Sequence, residues 1–230
     1  GDIAYVGLNG IGIARYEIST NSWLPTWTEY SNSPSGNAIL DPGNQDVTGL
    51  VADINPNQLW IGGEDGFQLI DVTTGAEVYD IEKNDDLYLG NGEPYQMVIY
   101  NDVMYYHQGD DSNSVYRIDV ANFQELSNID AGIQLDDNSG PAWGMGLVDG
   151  IIMASVASND GFPDYYDGQG GIAQWDIAND DWGENIEPSG QVDRVTAYES
   201  SNGDMWVSWG ELRLDLYDSS GNFVDFWNDD

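Results

Sequence analysis

The sequence predicts an all-β fold in which one strand-rich unit is repeated five times. Five short apolar runs are each followed, ten to twenty-two residues later, by a run that ends in a bulky apolar residue and an acid. The first runs centre on Tyr5, Trp60, Tyr105, Met153 and Trp206, and the second runs end at Tyr16-Glu17, Ile70-Asp71, Ile118-Asp119, Trp175-Asp176 and Tyr217-Asp218. No helical periodicity persists, because Gly, Asn and Asp interrupt every apolar run. A repeat near fifty residues indicates one supersecondary unit, whose copies must pack on one another to bury their faces.

The second unit shows the pattern most clearly. Its four predicted strands, named A to D, cover 48–54, 59–62, 67–72 and 76–81. The turn Asn55-Pro56-Asn57-Gln58 separates A from B, because Pro presets one turn dihedral angle and Asn tolerates left-handed geometry. Thr73-Thr74-Gly75 forms the tight turn between C and D. Four strands joined in this way predict an antiparallel meander.

The same order recurs in the other units. The predicted strands A to D cover 95–100, 103–107, 115–120 and 123–129 in the third unit, 143–148, 151–157, 172–177 and 182–186 in the fourth, and 194–199, 205–209, 213–217 and 223–227 in the fifth. The A–B turns Asn101-Asp102, Asp149-Gly150 and Asn202-Gly203 are strong signals for two-residue hairpins. In the first unit, 4–7, 12–18 and 22–28 correspond to strands B, C and D, and strand A has no counterpart.

Small four-stranded sheets repeated four to eight times are typical of a β-propeller. We therefore expect a single propeller domain over residues 1–230, with a first blade that lacks its inner strand. The expected blades cover approximately 1–29, 47–82, 94–130, 142–187 and 192–228. We expect the chain to be an excised or truncated part of a longer protein, although segment 30–46 could fill the missing inner position. The repeat does not say whether five units close a ring or form part of a larger one.

The unit Leu59-Trp60-Ile61-Gly62-Gly63, with Gly66-Phe67, Ile70-Asp71 and Thr74-Gly75, resembles the repeat of the two-component-regulator type of propeller. Similar residues occur at Met205-Trp206-Val207 with Tyr217-Asp218, and at Tyr5-Val6-Gly7 with Tyr16-Glu17. Other units depart from the motif, since His107 and Ser155 replace the Gly after strand B, and Asn122-Phe123 replaces the Thr-Gly turn. The resemblance implies a propeller with a recognition role in a larger protein, and it implies no particular ligand.

The acid at the end of each C strand has a structural interpretation. A carboxylate there can accept a hydrogen bond from a backbone N–H two or three residues further on, as in an Asx turn. A shared metal or catalytic role would require the five acids to converge, whereas a propeller distributes them around one rim. We therefore expect these acids to stabilise turns.

Composition excludes several partners. The chain has 41 acids against five bases, and a net charge of -36 excludes nucleic acid and anionic membrane surfaces. The excess acid indicates either a solvated surface adapted to salty surroundings or a protein that collects cations. No apolar stretch reaches the roughly 20 residues of a membrane span, so we expect no membrane insertion. Cysteine is absent, so disulfides and thiolate metal sites are excluded. His107 is the only histidine and is expected to be structural.

In a propeller, the B–C loops and the D–A connections open on the same face. The long segments of this chain fall there, and long loops on a rigid scaffold commonly bind ligands. The segment 158–171 alternates acids with aromatics, which suits sugar stacking combined with hydroxyl hydrogen bonds, or cation capture. The predicted ligand-binding residues are Asp160, Phe162, Asp164, Tyr165, Tyr166, Asp167 and Trp143. Asp160, Asp164 and Asp167 could also bind Ca²⁺, the one cofactor that the sequence suggests, although their spacing is not that of an EF-hand. A surface loop without a specific ligand is the simpler alternative for this segment.

Two classes of function remain. The first is a non-enzymatic binding or sensing module of an exported or cell-surface protein, with a protein or glycan ligand and, in a related form, a structural Ca²⁺ role in adhesion. The absence of a recognisable catalytic motif favours it. The alternative is a glycan-active enzyme, a hydrolase or lyase, because propeller glycosidases use carboxylate pairs about 5–9 Å apart. Its candidate acids lie near the ends of the A strands: Asp46, Asp53, Glu93 and Asp193.

Overall fold

The computed structural model describes residues 2–8, 12–25, 47–63, 66–82, 94–108, 114–130, 145–156, 171–183, 195–199, 204–209, 213–218 and 222–228. In these residues the regular structure consists entirely of β-strands, which form antiparallel meanders of three or four strands, two of which are joined by one parallel pairing. The all-β prediction is therefore confirmed. Within the described part of the chain, no helix is long and apolar enough to cross a membrane. The chain divides into two compact bodies. We call them the N-terminal body, formed by 1–105 with 117–126, and the C-terminal body, formed by 106–116 with 127–230.

The N-terminal body begins with two sheets whose strands are paired in chain order. The first sheet contains β1 (Ile3–Leu8), β2 (Gly12–Glu17) and β3 (Ser22–Trp23), and the second contains β4 (Val47–Ala52), β5 (Gln58–Gly63), β6 (Gly66–Asp71) and β7 (Glu77–Glu82). The second is the meander that the sequence predicts. Its first strand ends two residues earlier than expected, because the chain already turns at Asp53, where the Gln58 carbonyl accepts the Asp53 N–H.

The third sheet also forms in chain order. It contains β8 (Pro94–Tyr100), β9 (Val103–Gln108), β10 (Ser114–Asp119) and β11 (Gln124–Asp130). The predicted hairpin turn between β8 and β9 is confirmed, because Asn101 and Asp102 have φ angles of 49° and 65°. Positive φ at both central residues defines the type I′ turn, whose twist matches that of the flanking strands.

The C-terminal body contains two meanders that share a parallel contact. One consists of β12 (Met145–Val148), β13 (Ile151–Val156), β14 (Gly171–Asp176) and β15 (Asp181–Trp182), and the other of β16 (Val195–Glu199), β17 (Met205–Trp209), β18 (Arg213–Tyr217) and β19 (Phe223–Asn228). The first strands of the two meanders run parallel, and Leu147 pairs with Tyr198. The turn at Asp149-Gly150 has φ angles of 47° and 77°, which confirms the second predicted hairpin turn.

The β4–β7 sheet is buried on both faces. One face carries Leu59, Ile61 and Ile70, which form a core cluster with Ile13 of β2. The opposite face carries Trp60, whose ring lies 6.4 Å from that of Phe123 between centroids. Two covered faces explain why β6 is apolar along most of its length instead of alternating, as expected for a strand with a sheet on each side.

Phe123 lies where other units carry Asn21, Gly75 and Asp180, all of which have positive φ angles. Its φ angle is 53°, in the left-handed region that disfavours a bulky side chain. The ring packs at 4.1 Å from that of Tyr79 and also contacts Trp60, so packing between sheets offsets the backbone strain. The departure from the Thr-Gly turn noted in the sequence therefore places an aromatic ring between two sheets.

Candidate functional site

The acid that ends each C strand is held in its own turn. In the second unit, Asp71 Oδ1 accepts hydrogen bonds from the backbone N–H groups of Thr73 and Thr74, both at 2.9 Å. The equivalent acceptors are Asp119 Oδ1, from Ala121 and Asn122 at 3.0 and 2.9 Å, Asp176 Oδ1, from Ala178 and Asn179 at 2.9 and 3.1 Å, and Asp218 Oδ1, from Asn222 at 2.9 Å. The predicted bonds from backbone N–H groups two or three residues further on are confirmed for Asp71, Asp119 and Asp176, whereas Asp218 accepts from the fourth residue on, Asn222.

The same turn is tied to the neighbouring A–B turn. The residue that follows the acid donates its backbone N–H to a carbonyl at the start of strand B or in the turn before it. These bonds join Val72 to Asn57 (2.9 Å), Val120 to Asp102 (2.9 Å) and Ile177 to Gly150 (3.2 Å), and Ile18 donates likewise to Asp2 (2.9 Å). One end of each of these sheets is therefore a closed network of backbone and carboxylate hydrogen bonds.

Hydrogen bonds to the ionised form lower the pKa of three turn acids. The pKa of Asp71 is lowered chiefly by the backbone hydrogen bond from Thr74. The pKa values of Asp119 and Asp176 are lowered chiefly by side-chain hydrogen bonds from Asn122 and Asn179. Because each donor favours the carboxylate over the carboxylic acid, these residues are suited to fixing turns and unsuited to donating a proton near neutral pH.

We expect replacement of these three acids by Ala to lower the melting temperature at pH 7, with a difference from the native protein that narrows in acid. A carboxyl whose folded pKa lies below its unfolded value of about 3.9 stabilises the fold above that value. This contribution is lost as the pH falls through the folded pKa. Melting curves of Asp71→Ala/Asp119→Ala/Asp176→Ala between pH 7 and pH 2.5 measure the difference.

The triple Asn variant is the matched control, because it keeps an acceptor oxygen and removes only the charge. It should melt between the native protein and the Ala variant at pH 7. A difference between native and Ala proteins as large at pH 2.5 as at pH 7 would contradict the assigned role.

Asp53 is the one candidate acid of the enzymatic alternative that falls within the described ranges. Its Oδ1 accepts a hydrogen bond from the Trp60 indole N–H at 2.8 Å, and its Oδ2 accepts one from the Asn55 backbone N–H at 3.1 Å. The first bond ties the A–B turn to strand B, and the second lies within the turn. This gives Asp53 a structural role, while Asp46, Glu93 and Asp193 lie outside the described residues.

The predicted ligand-binding segment starts and ends at one pair of residues. Val156 at the end of β13 pairs with Gly171 at the start of β14. The connection 157–170 therefore begins and ends side by side, at the end of the sheet opposite the turn that contains Asp176. Asp160, Phe162, Asp164, Tyr165, Tyr166 and Asp167 lie within this connection, and they and Trp143 lie outside the described residues. In the ranges that the structure does describe, no group of three or more His, Asp or Glu side chains could hold a metal ion.

Sequence reasoning missed two buried polar residues at one repeat position. Gln68 and Asp215 each lie three residues before the turn acid, and each is 3% exposed. Gln68 donates from Nε2 to Glu77 Oε2 at 2.6 Å, which links the C and D strands of its sheet. A polar residue between two apolar ones, as in Phe67-Gln68-Leu69 and Leu214-Asp215-Leu216, is the signal that could have identified both.

Comparison with known proteins identifies no family. The chain matches no protein-family model and no curated protein. It is similar in structure to the computationally designed Ika8 protein, whose crystal structure matches with a TM-score of 0.56 and 14% sequence identity. The match covers 97% of this chain and 58% of the designed chain, so this chain spans little more than half the length of that protein. At this identity, the chain shares a fold with the designed protein, and the similarity carries no function.

Proposed function

We propose that the sheets are blades of a β-propeller and that the chain is a non-enzymatic binding module of an exported or cell-surface protein. The ligand site lies at the end of the blades where strands B and C are connected. The ligand is a glycan or a protein surface, and the segment 157–170 supplies its acids and aromatics. Ca²⁺ is the cation that these carboxylates would bind.

Contacts between first strands support the propeller. In the N-terminal body, the Thr48 side-chain hydroxyl of β4 donates to the Pro94 carbonyl of β8. In the C-terminal body, β12 and β16 pair in parallel through Leu147 and Tyr198. Inner strands of neighbouring blades meet side by side and run in the same direction in a propeller, so both contacts agree with that arrangement.

One observation carries the location of the site: the two ends of the sheets differ. At the turn end, the four recurring aspartates are bound within their own turns, and the turns are linked by backbone hydrogen bonds. At the opposite end, the connection between strands B and C spans only residues 64–65 in the second unit but 157–170 in the fourth. Length variation on a rigid scaffold is typical of the recognition surface.

The chemistry of the 157–170 segment favours glycan or cation binding. Tyr and Phe rings stack on the apolar faces of sugars, and carboxylates accept hydrogen bonds from sugar hydroxyls. Asp160, Asp164 and Asp167 supply hard oxygen ligands of the kind that Ca²⁺ prefers. The strong negative charge of the chain favours neutral or cationic ligands over anionic ones.

Isothermal titration calorimetry with CaCl₂, and separately with a panel of neutral and acidic oligosaccharides, tests the proposal. We expect the native chain to bind at least one of these ligands. Tyr165→Ala/Tyr166→Ala should weaken a glycan, and Asp160→Asn/Asp164→Asn/Asp167→Asn should weaken Ca²⁺, by at least tenfold (~1.4 kcal/mol). Asp110→Asn/Asp111→Asn, which removes two acids from the connection between β9 and β10, is the matched control and should bind as the native chain does.

Three results would contradict the proposal. Absence of heat with every ligand would remove the glycan and Ca²⁺ assignments. Equal loss of binding in the control and the test variants would move the site away from 157–170. Release of reducing or unsaturated ends from a glycan would replace the binding module with the glycan-active enzyme.

A further inference from the structure

The outer strand of the second sheet contains one residue more than its partner strand. On β7, Glu77 pairs with Ile70 of β6. The next paired residue on β7 is Tyr79, which lies opposite Leu69. Val78 is therefore an extra residue between two successive pairs. An extra residue in one strand of an antiparallel pair is a β-bulge, which disrupts the ladder locally and increases the twist of the strand.

The outer strand of the last sheet has the same irregularity. On β19, Phe223 pairs with Tyr217 of β18, and the next paired residue, Asp225, lies opposite Leu216. Val224 is the extra residue here. In both sheets, the bulge directly follows the partner of the residue that precedes the turn acid. The bulge therefore recurs at one position of the repeat, in two sheets that belong to different compact bodies.

The side chains at the two bulges contribute little to a core. Val78 is 48% exposed and Val224 is 54% exposed, although both are apolar. On either side of each bulge the neighbouring residues keep their partners on the adjacent strand. The extra residue thus changes the path of the backbone without adding a buried side chain, so its role is best sought in the backbone.

Both bulges lie on strands at the edge of a sheet. In the part of the chain that the structure describes, β7 and β19 are end strands of their sheets. The outward N–H and C=O groups of an edge strand are a template for pairing with another chain. These groups alternate along a regular strand, and one extra residue shifts the alternation, so a straight incoming strand can match the groups on only one side of the bulge. Regular pairing beyond the bulge is limited to 79–82 in β7 and 225–228 in β19.

We propose that these two bulges close the outer edges of the sheets to strand addition, so that a second copy of the chain does not extend a sheet through β7 or β19. The net charge of -36 opposes the same contact at low ionic strength. At about 1 M salt the Debye length falls to about 3 Å, so charge repulsion is largely screened and the backbone irregularity is the protection that persists. This inference concerns the outer edges of the sheets and does not depend on the ligand assigned to 157–170.

Deletion of Val78, and separately of Val224, tests the proposal by sedimentation velocity at 0.1 and 2 M NaCl. Each deletion removes the bulge and leaves every residue pair of the two strands in place. The native chain should remain monomeric at 2 M NaCl. Each deletion variant should show at least a tenfold larger associated fraction at 2 M NaCl, because its outer edge is then regular over the whole strand. The difference should be smaller at 0.1 M NaCl, where the charge still repels.

Val78→Gly and Val224→Gly are the matched controls, because they keep the extra residue and remove only the exposed side chain. Both should sediment as the native chain does. Circular dichroism checks that each variant is folded, and a folded deletion variant that stays monomeric at 2 M NaCl overturns the proposal. Loss of the native spectrum in both deletions also overturns it, because the bulge would then be required for the fold and not for protection of the edge. Association of the glycine variants equal to that of the deletions would assign the effect to the side chain and overturn it as well.

Discussion

Trp60→Ala is expected to lower the free energy of unfolding by about 3–5 kcal/mol. Trp60 is 0% exposed, so its removal leaves a cavity in the contact between the second and third sheets. It also removes the indole N–H that donates a hydrogen bond to Asp53 Oδ1, with the two atoms 2.8 Å apart. Because a domain is stable by only about 5–15 kcal/mol, this one change should bring the N-terminal body close to unfolding at ambient temperature.

Urea denaturation followed by circular dichroism measures the effect of Trp60→Ala. Trp60→Phe fills much of the cavity but still lacks the indole N–H, so its smaller cost separates packing from the hydrogen bond to Asp53. Trp227→Ala, which removes a 58% exposed tryptophan, is the matched control and should cost at most about 1 kcal/mol at low salt. Equal losses for Trp60→Ala and Trp227→Ala would mean that the sheet contact at Trp60 contributes little.

Gly7→Ala is expected to destabilise the first unit by about 1–3 kcal/mol through overpacking. A Cβ atom at Gly7 would lie 2.7 Å from Val47 Cγ1 and 3.0 Å from Val47 Cβ. Real Cβ contacts are essentially never as short as 2.7 Å, and the β-branched Val47 side chain has few rotamers with which to move away. The first and second sheets would therefore have to separate slightly.

A double-mutant cycle tests this explanation. Gly7→Ala/Val47→Ala should recover part of the loss, with a coupling energy of about 0.5–3 kcal/mol between the two sites. Gly183→Ala is the matched control, because its Cβ would approach no atom closer than 3.6 Å, and it should change stability by no more than about 0.5 kcal/mol. An unchanged melting temperature for Gly7→Ala, or an equal change for Gly183→Ala, would contradict the close contact.

The Gly after strand B shows how a sequence signal acquires its reason only in the structure. The repeat motif marks both Gly7 and Gly62. Each faces the first strand of the next sheet, since a Cβ at Gly62 would lie 3.0 Å from the Pro94 carbonyl oxygen. The repeat pattern marks the position of this glycine. The reason that a glycine is needed there is the close approach of two sheets, which the local sequence does not reveal.

The candidate site was predictable in its scaffold and remains a proposal in its chemistry. The turn acids were recognisable because an acid after a strand and before a tight turn bonds to its own backbone, and these contacts depend on neighbours in sequence. Gln68 and Asp215 escaped prediction, because their burial depends on partners from other strands and sheets. The acids and aromatics of 157–170 were assigned from composition and from their position in the repeat.

By itself, the sequence determined which segments form strands and how one strand turns into the next. Gly, Asn, Asp and Pro act within a few residues, and the turn carboxylates bond to backbone groups two to four residues away. Tertiary structure alone decided which apolar faces are buried. Trp60 and Trp206 occupy the same repeat position, yet Trp60 is fully covered by the next sheet whereas Trp206 stays partly exposed. The hydrophobic effect acts on area removed from water, and that area depends on which neighbour lies against the face.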